Sequence, residues 1–307
     1  MPENVFDKAS RFAAKLNPPG FLNWLLGMPL NAFTFRGWLD TRGVPFPGDA
    51  DQISDTVARL DDPAEHGVPW AVAVEFQIEP DPLMFGRMLG YLAGLWMTLK
   101  PDEERGSRFN LGGAVVNLTG TGRASREMRW PTAGLTTHLE FVERNLERES
   151  ADEVLGGIEA GRWSRCLLPW VALMSGGDDP VLVDRWKRLA EAEPDSRRRA
   201  DYGGLAQVFA DRVGRKVLWH EKLKGWNMTE SSVVNAWIAE GKAEGVAEGE
   251  ARGSRAFLVR IGAKKFGHNP TAEQRNALDA ITDLVVLTRL GERVFDVGSW
   301  DELLRGS

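Results

Sequence analysis

Residues 51–96 read DQISDTVARLDDPAEHGVPWAVAVEFQIEPDPLMFGRMLGYLAGLW, and the fold turns on how this stretch divides. Val72, Val74, Phe76 and Ile78 alternate with Ala71, Ala73, Glu75 and Gln77. Side chains of a strand point to opposite faces in turn. Residues 68–78 therefore read as a strand with one apolar face and one face of alanines bearing two polar groups. Residues 51–60 read as a second, weaker strand. The connector 61–69 holds Asp-Asp-Pro and His-Gly, which is turn chemistry. In an antiparallel pair centred near Glu65, opposing residue numbers sum to about 130. Leu60 then lies near Trp70, and Asp55 near Glu75. Like charges facing across a ladder repel by some tenths of a kcal/mol. A divalent cation between them would remove the repulsion, and Mg2+ is commonly held by one or two carboxylates plus water and phosphate oxygens. The alternative is two carboxylates on a solvent-facing side of a two-layer sheet. A slip of one residue would separate the pair.

Outward from this stretch, residues 83–99 read as a helix with a buried stripe of Leu83, Met84, Met88, Leu92, Leu95, Trp96 and Leu99. Gly86, Gly90 and Gly94 would let it lie close to a neighbour. Arg87 and Tyr91, four apart, share a face. Arg87 is either an anion holder or a structural partner of Asp81 or Glu79. Residues 110–118 (NLGGAVVNL) form a further strand, ended by the turn Gly120-Thr121-Gly122. The segment 135–240 reads as helical, with helices at 135–149, 151–160, 180–192 and 205–218. Arg197-Arg198-Arg199 reads as a loop.

The last segment opens on GKAEGVAEGEARG, in which Gly241, Gly245, Gly249 and Gly253 recur every four residues. That spacing lays them along one helical face. It suits a linker-like helix pairing with another chain, or a merely solvated helix, since each glycine costs about 1 kcal/mol against alanine. A helix at 254–266 ends at Gly267. Thr271 with Gln274 forms a capping-box pattern before the next helix, and Ser299 opens a short final one.

Composition bounds the function. The 307 residues carry 38 bases and 44 acids, a net charge of −6. By segment the bases and acids number 8 and 12 in 1–100, 20 and 20 in 101–225, and 10 and 12 in 226–307. This excludes a general polyanion binder and requires locally gathered bases for any nucleic acid contact. A single cysteine, Cys166, excludes an internal disulfide framework and a Cys-rich zinc site. Flanked by leucines, it reads as buried and inert. No apolar run reaches the roughly 20 residues of a membrane span. The N-terminal bases before residues 21–33 mimic a signal peptide, but acids and prolines interrupt the pattern, so a first core helix or loop and a cytoplasmic location are expected. No GxxxxGK[ST], GxSxG or HExxH occurs. His66 falls in the predicted hairpin loop. Trp24, Trp38, Trp70, Trp96, Trp170 and Trp186 sit at apolar positions and read as core.

The ordered set of an aspartate strand, a Glu-Phe-Gln strand, an acidic-proline turn and a helix with Arg and Tyr resembles the PD-(D/E)XK nuclease superfamily. More narrowly it is similar to the recombination-promoting nuclease (Rpn) and transposase-like branch. Asp55, Glu75, Gln77, Arg87 and Tyr91 match position by position, Asp7-Lys8 matches the opening weakly, and the resemblance covers about residues 5–120. The tail from the glycine repeat through SWDELL looks like the small helical domain that often follows such cores. Two departures stand out: Ser54 replaces the signature proline, and Gln77 replaces the lysine, as in the Rpn-like branch. The resemblance implies an α/β, restriction-endonuclease-like mixed sheet flanked by helices, followed by an all-helical C-terminal region. The expected parts are a nuclease-like domain at 1–134, a helical region at 135–240 and a glycine-repeat helix with small helical domain at 241–307.

The implied activity is Mg2+-dependent hydrolysis of DNA phosphodiester bonds, with Mn2+ as a substitute ion. Asp55 and Glu75, with the backbone carbonyl of Phe76, would hold the metal, and Gln77 would position a water. Arg87 would take part of the electrostatic role of the missing lysine. Arg87, Tyr91, Arg108, Arg123 and Arg126, with Arg105 and Arg129, are the candidate contacts to nucleic acid; a solvated surface is the alternative for the arginines around the 110–118 strand. A homodimer would suit cutting of both strands. A catalytically silent interaction or regulatory protein retaining the same fold is the rival reading.

Overall fold

The computed structural model describes residues 3–41, 56–62, 67–101 and 108–305. The chain divides into two compact units, Met1–Val234 and Asn235–Ser307.

The first unit opens with helices α1 (Glu3–Lys15) and α2 (Pro18–Leu26). Asn17 caps α2 by accepting from the Gly20 N–H at 3.1 Å, and two prolines occupy its first turn, where a missing N–H costs nothing. Strands β1 (Thr34–Trp38), β2 (Val57–Asp61) and β3 (Trp70–Gln77) follow, then α3 (Met84–Thr98) and β4 (Asn110–Asn117). A separate two-stranded ribbon, β5 (Arg126–Trp130) and β6 (Leu135–Leu139), precedes β7 (Val142–Asn145). The main sheet has the order β1-β2-β3-β4-β7; the β1–β2 and β2–β3 pairs are antiparallel, whereas β3–β4 and β4–β7 are parallel. Helices α4 (Ala151–Glu159), a 3-10 helix at Arg165–Leu173, α5 (Pro180–Glu191), α6 (Ser196–Arg212) and α7 (Lys216–Lys222) complete the unit.

The β2/β3 register is the predicted one: Val57 faces Ala73 and Leu60 faces Trp70. The ladder continues to Thr56, whose carbonyl accepts from the Val74 N–H at 2.9 Å. Asp55 and His66 lie outside the described residues.

Both faces of β3 are covered. On one, Ala71 and Ala73 pack with Met84, Met88, Tyr91, Leu92 and Leu95 of α3. Close approach comes from the sheet: a Cβ on Gly113 would lie 2.5 Å from the Met88 terminal carbon, whereas one on Gly86 of the helix would meet nothing within 4 Å. On the other face Phe76 stacks with Trp170 and Trp170 with Phe209, and Phe21 lies tilted against Phe76, at centroid spacings of 5.1 to 6.0 Å.

Several expectations are corrected. Residues 135–149 are not a helix but β6, β7 and a 3-10 turn, so the sheet runs past the boundary expected at 134. The polar residues of β7 tie it in place: Glu143 accepts from the Ala124 N–H, the Ser125 N–H and the Ser125 hydroxyl at 2.6 to 2.8 Å. Arg144 donates to the Leu25 carbonyl and to Glu149, both at 3.1 Å. Arg197-Arg198-Arg199 open α6, because Asp195 caps its first turn. Leu83 and Trp96 are exposed, and Tyr91 takes a place in the buried stripe instead. Trp70 is exposed at its margin, whereas Trp24, Trp170 and Trp186 are core. Cys166 is buried.

The second unit continues α8 (Ser232–Phe266), which contains the glycine repeat, and adds α9 (Ala272–Asp279), α10 (Leu284–Arg293) and α11 (Trp300–Leu304). Thr271 and Gln274 form the expected capping box, and Ser299 caps α11. A Cβ on Gly249 or Gly253 of the repeat would meet nothing within 4 Å, whereas one on Gly262 would press into the Trp300 ring. Among the described residues no helix is long and apolar enough to cross a membrane.

Candidate functional site

The small alanines of β3 leave room beneath α3, and Glu75 sits in that room. One turn into α3, Arg87 reaches down to it, with Nη2 donating to Glu75 Oε1 at 2.9 Å. The same nitrogen donates to the Tyr91 hydroxyl at 3.2 Å, and Nη1 to Asp81 Oδ2 at 3.1 Å. The i, i+4 spacing places Arg87 and Tyr91 on one helical face, and Asp81 is held in the turn before it by accepting from the Leu83 N–H at 2.8 Å. The structural reading of Arg87 as a partner of Asp81 is thus realised, with Glu75 as a second internal carboxylate, and Glu79 pairs instead with Arg212.

Burial dominates the electrostatics of Glu75. It pushes the carboxyl up to about 7, against the lowering effect of Arg87 and, more weakly, of Arg11 on α1; Asp7 on α1 and Asp81 add to the rise. Burial opposes the Arg87 charge, but Tyr91, Glu75 and Asp81 together hold its pKa above the ordinary value. Burial and then the neighbouring Glu75 raise Tyr91.

Gln77 lies on the same strand face and is buried. Its Oε1 accepts from the Asp81 N–H at 3.1 Å, which orients the amide and leaves Nε2 as a buried donor without an acceptor. The Gln77 backbone carbonyl accepts from Leu118 at 2.7 Å. Alternation along a strand then turns the preceding Phe76 carbonyl toward the β2 side.

Two further amides extend the polar row. Gln77, Asn117 and Asn145 are register partners on β3, β4 and β7. Asn117 is buried, donates to Asn145 Oδ1 at 2.9 Å and keeps its own Oδ1 without a donor. The sequence reading missed both asparagines. Their signal was available in the second Asn of NLGGAVVNL, one strand away from Gln77.

The arginines do not form one cluster. Arg108 precedes β4 and lies over the Trp96 ring at 5.5 Å, toward the end of α3. Arg126 follows β4 and lies over Phe85 at 6.0 Å, in the first turn of α3. Eleven residues of helix separate these two rings by about 16 Å. Arg123 is exposed, and Arg129 pairs with Glu127 on the ribbon surface at 2.9 Å. Arg105 lies outside the described residues. Among the described residues no three His, Cys, Asp or Glu side chains converge on a metal position.

Compared with protein-family models, curated proteins and solved structures, the chain matches none.

Proposed function

We propose that the chain is a metal-dependent DNA endonuclease-like protein of the Rpn/transposase-like branch, with restriction-endonuclease-like architecture in its first unit. The observation that carries this is the convergence of Glu75, Gln77, Arg87 and Tyr91, from one strand face and one turn of α3, in the chain order on which the resemblance rests. A hard cation suits the donor chemistry. Burial holds the Glu75 carboxyl near 7 even with Arg87 in contact, and a divalent cation beside it would offset that desolvation. Asp55, Glu75 and the Phe76 carbonyl are the oxygen donors proposed to hold Mg2+ or Mn2+. When bound, such an ion supplies polarisation of a phosphate and a lowered pKa for its water. Gln77 Nε2, a fixed buried donor, would orient that water or a phosphate oxygen. Arg87, held by Asp81 and Tyr91, would stay in place as charge develops on phosphate.

The test is cleavage of supercoiled plasmid by the full chain with Mg2+ or Mn2+, beside Glu75→Ala and a chelated control. Cutting that needs both the ion and Glu75 is expected, with the variant at least a hundred-fold slower, about 3 kcal/mol in barrier. One observation favours a second reading, a catalytically silent interaction protein on the same scaffold: Arg87 already neutralises Glu75 at 2.9 Å. Absence of cutting by folded protein would move the assignment there.

A further inference from the structure

The ribbon β5–β6 carries a surface that the site does not use. Its register pairs Arg126 with Leu139, Met128 with Thr137 and Trp130 with Leu135. Alternation puts Met128, Trp130 and Leu135 on one face. All three are exposed, Trp130 to 62%, Leu135 to 60% and Met128 to 43%. Exposed large side chains grouped on one face mark a contact surface, where scattered ones do not. The charge on this segment also departs from the chain's acidic balance. Residues 123–139 hold Arg123, Arg126 and Arg129 against Glu127 alone, a net of +2 (three bases less one acid) in a chain of −6.

The ribbon is rigidly rooted beside the site. Glu143 ties down Ala124 and Ser125 on the entering leg, and the Ser125 hydroxyl accepts from the Phe141 N–H on the leaving leg at 2.9 Å. Arg126 lies over Phe85, two residues before Arg87 on α3. Five residues of strand reach about 17 Å from that root. Two paired strands with their side chains match the roughly 12 Å major groove, which admits such a ribbon. Apolar side chains at a projecting tip can also wedge against base steps.

We infer that β5–β6 is a duplex-engaging arm, its Met128/Trp130/Leu135 face entering a DNA groove while Arg123 and Arg126 meet flanking phosphates. The inference rests on the nuclease reading above and names how that substrate is gripped. A second copy docked face to face would set the same arginines against one another, whereas the phosphates of a duplex complement them.

The experiment is fluorescence anisotropy of a labelled 30-base-pair duplex with the full-length protein in EDTA, across a salt series, beside the plasmid assay. Trp130→Ser/Leu135→Ser is expected to weaken binding ten-fold or more with an unchanged salt slope. Arg126→Ala should reduce the slope of log K against log salt by about 1. Glu127→Gln, which removes an opposing charge and no apolar contact, should tighten binding about three-fold. Unchanged affinity in all three variants, with wild type binding and cutting, would overturn the arm and leave the nuclease reading intact. A wild type that binds no duplex would overturn both. A dimer by sedimentation that the double serine variant abolishes, with duplex binding unchanged, would overturn the arm and assign the face to a second copy.

Discussion

The two faces of β3 show opposite uses of one strand. On the face of Phe76, rings from α2, the 3-10 helix and α6 fill the space with stacked aromatic surface. On the face of Glu75, Ala71 and Ala73 leave room that Arg87, Tyr91 and Gln77 complete with hydrogen bonds. The first face gains stability from burial alone. The second keeps a desolvated carboxylate whose charge costs stability. A single strand thus separates the part of the first unit that is filled with aromatic packing from the part proposed to carry the chemistry.

The largest expected break of this contrast is Trp170→Ala. The ring is fully buried between Phe76 and Phe209, so its loss should cost about 3–5 kcal/mol. Calorimetry should show a fall in Tm on the order of 10 °C. The Glu75 face should respond in the opposite direction. With a folded-state carboxyl near 7 and an ordinary value of 4.5, the folded protein binds the extra proton between these limits. Stability from this group is full below about pH 4.5 and is lost as pH rises to about 7. Glu75→Gln should remove that slope and stabilise the protein at pH 8 by about 3 kcal/mol, measured by denaturant titration at both ends of the range. A variant less stable than wild type at pH 8 would show that the Arg87 pair outweighs the burial. Gly113→Ala is the finest probe, since its methyl would press on Met88 and Phe141, and a loss of about 1–3 kcal/mol is expected.

The apolar alternation from 68 to 78 and the turn chemistry of 61–69 were enough to place β3 and its register with β2. The helix of Arg87 and Tyr91 was legible from spacing, and so was their shared face. What spacing could not supply was Asp81 as the third partner, because that contact depends on how the turn folds back. The 135–149 segment misled because Leu135, Leu139, Val142 and Leu146 fall at helical intervals. Pairing with β4 overrides that period, and the charged residues of β7 serve as ties to loops and helices. The arginines were grouped by sequence proximity, but a strand carries its two flanks to opposite ends, so Arg108 and Arg126 part company.

The Glu143 clamp has a consequence for the order in which the molecule loosens. One carboxylate holds the leg that enters the ribbon, and Ser125 bridges to the leg that leaves it. Opening that starts at the exposed tip, between Pro131 and Gly134, is therefore expected to stop at this clamp. In hydrogen–deuterium exchange the ribbon amides should exchange early, as a cooperative unit of their own. The Ala124, Ser125 and Phe141 amides should follow only with the main sheet. An element hinged on a fixed line of this kind can rearrange around what it touches without loosening the strand that carries Glu75.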